Sequence, residues 1–393
     1  MPWKESYVVE ERFKFVIRHQ NGEKIASLCR EFGISRKTGY KILTRFEKEG
    51  VDGLSNQSRR PFRLARRINE EMEFQLLKIK EEKPDWGAAK IREIFLRRNP
   101  QVKPPAKSTV HALFDRHDLV QKRKWKRIKA QGTFLAPAKG PNDLWCADFK
   151  GQFRLGNSSY CYPLTITDYH SRYLLCCEGF SSNKVDLTFG GFQRAFEEHG
   201  LPLAIRTDNG VPFSFPRSLF GLSHLSVWWL RLGIRLERIQ PGHPEQNGRH
   251  ERMHLTLKKA TAKKPKANFL EQQERFDEFC SEFNHERPHE SLQMKFPGEV
   301  YVKSPRAYQG LLPLEYPQHD RTGLVTSSGD VCLQRKKFHL SRAFAKQEVG
   351  LLEVDDGIWL VSFMDCDLGY FDETSLKFAK LDNPFAINLS TKV

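Results

Sequence analysis

Apolar residues at helical spacing open the chain. Ile25, Leu28, Phe32, Ile34, Tyr40, Ile42, Leu43 and Phe46 follow a helical period interrupted only at Gly33-Ile34-Ser35. The pattern predicts three helices over 9–46, with Gly33 turning the chain and Ser35 capping a helix from Arg36 to Phe46. After a polar, irregular stretch the period returns: Ile68 to Glu82 reads as a helix, Trp86 to Ile91 opens another, and Ser108 caps a third that includes Phe114. From Pro141 the period shortens to two. Leu144–Gly151, Tyr160–Thr167 and Arg172–Glu178 read as strands, the last two joined by the turn Asp168-Tyr169-His170-Ser171. A helix is expected over 185–199, then a short buried strand, Leu203–Thr207, that ends in Asp208-Asn209-Gly210. A turn built from Pro241, Gly242 and Pro244 leads into a helix beginning near Gln246, and a long helix spans Asn268 to His285. Beyond Pro305, short period-two runs at Gly323–Val325, Val331–Leu333, Phe338–Leu340, Val349–Val354, Ile358–Phe363 and Leu368–Phe371 predict a small β-barrel.

These elements divide the chain into a helix-turn-helix domain over 1–50, a basic linker over 51–66, a second helix-turn-helix domain over 67–120 and a basic linker over 121–140. A mixed α/β core over 141–305 and the small barrel over 318–393 complete it. Helix pairs with a glycine turn also occur in plain bundles, so charge has to distinguish the readings. Lys and Arg number 64 against 48 Asp and Glu, a formal +16 with a pI near 9.4, which makes a polyanion the expected partner. The excess is clustered. Arg36, Lys37, Lys41 and Arg45 share the second helix of the first module, where phosphates or base edges would be met. Arg59 and Arg60 sit in the first linker, and Lys122, Arg123, Lys124, Lys126 and Arg127 crowd the second, an array suited to several phosphates. Two such modules in series suit a long DNA site. Eight cysteines without Cys-x-x-Cys spacing read as reduced thiols rather than zinc ligands. With no apolar run of about 18 residues and no signal-peptide core at the start, a cytoplasmic protein is expected.

Three carboxylates stand out by position: Asp148 in the first strand, Asp208 at the end of the short buried strand, and Glu251 early in the helix after Gln246. Strand-end acids of such sheets face the ligand crevice. A lone Glu early in a basic helix would do no more than complement its dipole. Together, the three suit phosphodiester chemistry, in which two divalent ions about 3.5–4 Å apart stabilise the attacking and leaving oxygens. Mg²⁺, or Mn²⁺, takes hard oxygen donors in preference to His or Cys. In this reading Asp148 bridges both ions, Asp208 holds one and Glu251 the other, with Glu237 and Glu245 as alternatives for the third acid. Arg249 and Arg252 are expected phosphate neighbours, and His254 and Lys258, on the Glu251 face of the helix, are candidate contacts to a DNA end, with a solvated face as the plain alternative. Lys259, Lys263, Lys264 and Lys266 extend that basic cluster. Asp168 reads as a turn-forming side chain, His285 and His289 as helix-end residues, and Trp228 and Trp229 as packing.

The blocks Trp145-x-x-Asp148-Phe149-Lys150-Gly151, Thr207-Asp208-Asn209-Gly210-x-Pro212-Phe213 and Pro241-Gly242-x-Pro244-x-Gln246-Asn247-Gly248-x-x-Glu251-Arg252 resemble those of DDE transposases with an integrase catalytic core. Phe283-Asn284-His285-Glu286-Arg287-Pro288-His289-Glu290-Ser291-Leu292 and Pro297-x-x-x-Tyr301 are similar to later blocks of the same family, so the likeness runs in order from about 141 to 301. It is strongest to bacterial insertion-sequence transposases. The resemblance implies a ribonuclease-H-like mixed-sheet core and a DNA transposase that binds terminal inverted repeats. It also implies Mg²⁺-dependent cleavage and transfer of a DNA strand, target DNA as second substrate, a homo-oligomer that is at least a dimer in the synaptic complex, and a place at the bacterial nucleoid. Between Asp208 and Glu251 lie 42 residues, more than the common pattern of that superfamily, with the surplus expected around Phe215 to Trp228. The rivals are a non-catalytic DNA-binding regulator derived from a transposase and a nuclease without strand transfer.

Overall fold

The structure, a computed structural model, describes residues 7–56, 68–120, 138–182, 184–240 and 243–385. Arg59, Arg60, Lys122, Arg123, Lys124, Lys126 and Arg127, and the turn residues Pro241 and Gly242, lie outside them. The chain forms two compact units, Met1–Glu70 and Glu71–Val393.

In the first unit α1 (Val8–Gln20), α2 (Ile25–Glu31) and α3 (Arg36–Glu49) enclose a core of Phe15, Val16, Leu28, Cys29, Leu43 and Leu54. The turn is the one the sequence predicts. Gly33 has φ +62, and the Ser35 hydroxyl accepts the Thr38 N–H at 3.2 Å to cap α3. Gly39 lets α3 cross closely, since a Cβ there would come within 2.7 Å of Cys29 Sγ and 3.0 Å of Phe15.

The second unit begins with α4 (Glu70–Glu82), α5 (Ala88–Arg98) and α6 (Lys107–Arg116), which bury Leu76, Ile79, Trp86, Ile91, Phe95, Val110, Leu113 and Phe114. Helix α6 starts two residues earlier than expected. After Pro104 and Pro105 the chain is extended at Ala106, which stands at the cap, so Ser108 lies inside the first turn. Ion pairs pin these three helices to residues 282–299 of the same unit: Lys83 meets Glu282 and Glu286 (3.1 and 2.9 Å), and Arg97 meets Glu299 (2.8 Å) while lying over the Phe296 ring.

The central sheet contains β1 (Trp145–Phe149), β2 (Phe153–Arg154), β3 (Tyr160–Asp168) and β4 (Leu174–Phe180). After α7 (Val185–His199) come β5 (Ala204–Thr207), α8 (His224–Arg231) and β6 (Arg235–Arg238), then α9 (Gly248–Leu257) and α10 (Phe269–His285). Strand β3 pairs antiparallel with β1 and β4, and β5 and β6 run parallel beyond β1. Two apolar layers sandwich the sheet. One joins Trp145, Leu164, Ile166 and Ile205 to Phe192 and Phe196 of α7 and Trp228 and Trp229 of α8; the other joins Cys161, Leu174 and Cys177 to Met253 and Leu257 of α9 and Phe276 and Phe279 of α10.

The C-terminal strands are β7 (Arg321–Leu324), β8 (Asp330–Leu333), β9 (Lys336–His339), β10 (Glu348–Asp355), β11 (Ile358–Phe363), β12 (Cys366–Asp372) and β13 (Lys377–Lys380). Among the described residues they do not close the expected barrel. The order β13-β12-β11-β10-β7 is open, and β8–β9 is a separate hairpin. The hairpin shields the sheet with side chains instead, Phe338 stacking on Phe371 at 4.2 Å and on Phe378 at 5.8 Å.

The long connection between Asp208 and Glu251 has a structural purpose. Leu219, Phe220 and Leu222, with Val227 and Leu230 of α8, join the core of the C-terminal strands, while Leu225, Trp228 and Trp229 of the same helix pack on the central sheet. The surplus residues thus couple two hydrophobic cores.

Candidate active site

Strand pairing brings the first two acids together. Cys146 stands opposite Arg206 in the parallel β1–β5 pair, and two positions further along each strand lie Asp148 and Asp208. Gly210 allows the chain to fold back on Asp208: its N–H donates to Oδ1 at 3.1 Å, and a Cβ there would sit 3.0 Å from Oδ2. Glu251 is exposed in the first turn of α9.

The Asp148 carboxyl feels both of the other acids. The Asp148 carboxyl is pushed up to about 7, first by burial, then by the negative charge of Asp208 and also that of Glu251. Burial raises Asp208 as well, against the Gly210 N–H. Such crowding of like charge invites a cation. His254 does not supply it: its Nδ1 lies 3.7 Å from Asp148 Oδ2, but burial and the neighbouring His250 and Lys150 hold the ring at about 2, hence neutral. The all-oxygen donor set fits a hard divalent ion. Among the described residues, no three His, Cys, Asp or Glu side chains already form a metal-holding group.

Helix α9 is held to the sheet by buried polar groups. Thr165, opposite Asp148 on β3, gives its one proton to the Asp148 carbonyl at 3.1 Å. The Nε2 atoms of His250 (2.8 Å) and His254 (2.6 Å) must then donate to Thr165 Oγ1, and the Thr167 hydroxyl donates to His250 Nδ1 at 2.8 Å. His254 is therefore buried against β3 and not an exposed DNA contact, because the face of α9 that carries it turns toward the sheet. The start of α9 is fixed by Arg206, fully buried, which pairs with Glu237 of β6 and donates to the Gln246 carbonyl at 3.2 Å. That pairing commits Glu237, one of the two alternatives for the third acid, to Arg206. Asn209 donates to the Ile239 carbonyl at 2.7 Å, and Gln246 bonds Gln240 through both backbone and side chain.

Asp168 is structural, accepting from Asn142 N–H and from both N–H and hydroxyl of Ser171. Lys258 is exposed, and its charge, after burial, lowers Lys150, which lies near Asp148. Lys150 thereby joins the basic rim, a role its place between strands hid from the sequence. Arg249 lies over the Tyr169 ring at 4.0 Å, on the side of α9 away from Glu251, and Arg252 is exposed. In the first unit Arg36, Lys37 and Lys41 are exposed along α3 and Arg45 is half-buried; among the described residues none of the four has a carboxylate partner. Glu245 carries no described side chain.

Known proteins match these segments. An integrase core domain covers residues 138–244 and a second integrase core model covers 232–297. A helix-turn-helix domain matches 11–62 and a homeodomain-like domain 38–114. Among solved structures, the chain is similar to the HTLV-2 integrase catalytic core domain in complex with magnesium, in its trimeric form. The identity there is 16% and the TM-score 0.34, over 42% of this chain and 100% of that one. It is also similar to a chain of the simian T-cell lymphotropic virus intasome in complex with the PP2A regulatory subunit B56 gamma (14%, TM-score 0.36, 74% and 97%) and to the catalytic core of BIV integrase (17%, TM-score 0.31, 41% and 93%). Residues 138–297 thus match integrase core domain models, and residues 11–114 match helix-turn-helix and homeodomain-like models, the domain content of transposases and integrases. The matches bear out the resemblance to insertion-sequence transposases with an integrase-type core. No helix among the described residues is long and apolar enough to cross a membrane.

Proposed function

We propose that this chain is a DNA transposase that cuts a strand at the ends of a mobile element and joins it to target DNA. The observation that supports the reading is that Asp148, on β1, and Asp208, just past the neighbouring parallel β5, lie on adjacent chains, with the charges of both Asp208 and Glu251 acting on Asp148. These three acids would hold Mg²⁺ or Mn²⁺, two ions in all, which when bound supply Lewis-acid stabilisation of the attacking and leaving oxygens. Asp148 presents its carboxylate from β1 and Asp208 from the residue that follows β5, so both are anchored by the sheet. Thr165, Thr167, His250 and His254 hold α9 in register with Asp148. Lys150 and Lys258 flank the acids and attract the DNA backbone. The helix-turn-helix modules bind the terminal inverted repeats, with Arg36, Lys37, Lys41 and Arg45 of α3 toward the DNA. Two ends brought together require at least a dimer. A regulator without activity would have no need of two neighbouring carboxyls, Asp148 and Asp208, both raised by burial, and this observation favours the enzyme.

The test is a joining assay with labelled element-end DNA and a supercoiled target plasmid in Mg²⁺. Covalent joining of the label to the plasmid is expected. Cleavage without any joined product would reduce the protein to a nuclease, and neither reaction would leave only the regulator.

A further inference from the structure

Behind α9, on the side away from Glu251, lies a cavity of about 1260 Å³ between that helix, the β3–β4 turn, α5 and α6, and the segment after α10. It is lined by cations from separate elements: Lys90 of α5, Arg172 after β3, and Arg287 after α10. Among the described residues none of these three has a hydrogen bond or ion pair with a carboxylate. Arg287 has only the Trp86 ring (5.6 Å) and Arg172 only that of Tyr169 (5.9 Å) beneath its guanidinium, and Arg172 Nε is buried without a partner. The acids at the wall are engaged elsewhere, Asp168 with Asn142 and Ser171, Asp85 with Lys259 at 3.7 Å and Glu290 with Lys107 at 3.8 Å. His289 Nε2, also on the wall, is buried and unpartnered.

The three cations are half-buried, and partly desolvated charges without a carboxylate partner are unfavourable and persist where a ligand of opposite charge supplies the missing partner. The strain shows in the titration of the group: Lys90 is lowered to about 7 by burial and then by Arg287, and Arg172 to about 10 by burial and then by Arg249. The cavity exceeds the roughly 300–1,000 Å³ of a small-molecule site, so a polymer segment suits it better than a free anion.

We propose that this cavity is a second DNA subsite, in which Lys90, Arg172 and Arg287 grip phosphodiesters of a strand passing behind the catalytic helix. The inference rests on the reading of the chain as a DNA-processing protein. It assigns to α9 two DNA faces, one toward the acids and one toward the cavity.

The experiment measures binding of the full chain to a fluorescein-labelled DNA duplex across about 50–200 mM salt, the range in which phosphate contacts dominate. Lys90→Gln, Arg172→Gln and Arg287→Gln should each reduce the slope of log affinity against log salt by about 0.9. Arg172→Lys and Arg287→Lys should restore most of it. Thermal melting without DNA separates misfolding from lost contact: the neutral variants should melt no lower than wild type, since each removes a half-buried charge that has no carboxylate partner. Unchanged slopes in all three neutral variants, or lower melting in all three, would overturn the proposal. A parallel melting series in inorganic phosphate distinguishes the sources. Stabilisation by phosphate that the variants lose, with DNA slopes unchanged, would mean a free-anion site and would also overturn it. Changed slopes in a protein that neither cuts nor joins DNA would sink the transposase reading and leave the subsite standing.

Discussion

At the scale of single residues, Asp148 is the centre of the proposed site and its neighbours determine how it behaves. Thr165 bonds its carbonyl, His254 faces its carboxylate as a neutral ring, and Asp208 and Glu251 crowd it with charge. His250 is the residue whose loss separates these roles, since both its nitrogens are bonded to threonines. His250→Ala should leave two buried hydroxyls short of a partner and lower stability by about 1–3 kcal/mol, read by urea unfolding, and should slow strand cleavage because α9 loses its register. Unchanged stability would show that the threonines find other partners. Lys90 gives a pH signature. Its pKa is about 7 when folded, from burial and the charge of Arg287, against 10.5 for the unperturbed group. Folding therefore expels a proton between those values, so the penalty is full below about pH 7 and fades as pH rises toward 10.5. Lys90→Gln should flatten the rise in stability over that window relative to wild type; parallel curves would contradict the assignment.

At the scale of elements, most helices and strands were legible because their periods are regular: α3 with its Gly33 turn and Ser35 cap, α7, β3, and the acids at β1 and after β5. What was not legible depends on partners far away in the chain. Thr165 and Thr167 read as ordinary strand formers, and only α9, more than 80 residues on, gives them a role. Arg206, in a buried strand, is satisfied by Glu237 of β6, a partner 31 residues on. Period-two strands also cannot say whether a sheet closes, because closure depends on pairing between β7 and β13, which here remain edges. The two-residue β2 is too short for any pattern. The surplus between Asp208 and Glu251 looked like a loop and is a bridge between cores. Leu222, buried in the C-terminal cluster, should be sensitive: Leu222→Ala is expected to lower stability by about 2–5 kcal/mol in denaturant unfolding. A loss below about 1 kcal/mol, typical of an exposed site, would contradict the bridge.

At the scale of the molecule, the chain combines segments that match helix-turn-helix and integrase core models, and its +16 charge suits the DNA partner proposed for both. Non-specific affinity should fall steeply with salt. Triad substitutions should leave that dependence almost unchanged, because Asp148, Asp208 and Glu251 are acids and not phosphate contacts. The claim on which the rest depends is that these three carboxylates form one catalytic group. Its most direct test is strand cleavage of element-end DNA in Mg²⁺ by wild type and by Asp148→Asn, Asp208→Asn and Glu251→Gln, with DNA binding followed in parallel. Wild type should cut, and each variant should bind normally yet lose activity by at least about 10²-fold, the scale of removing one electrostatic stabiliser from an active site; full activity in any one of them would remove that residue from the group and contradict the account.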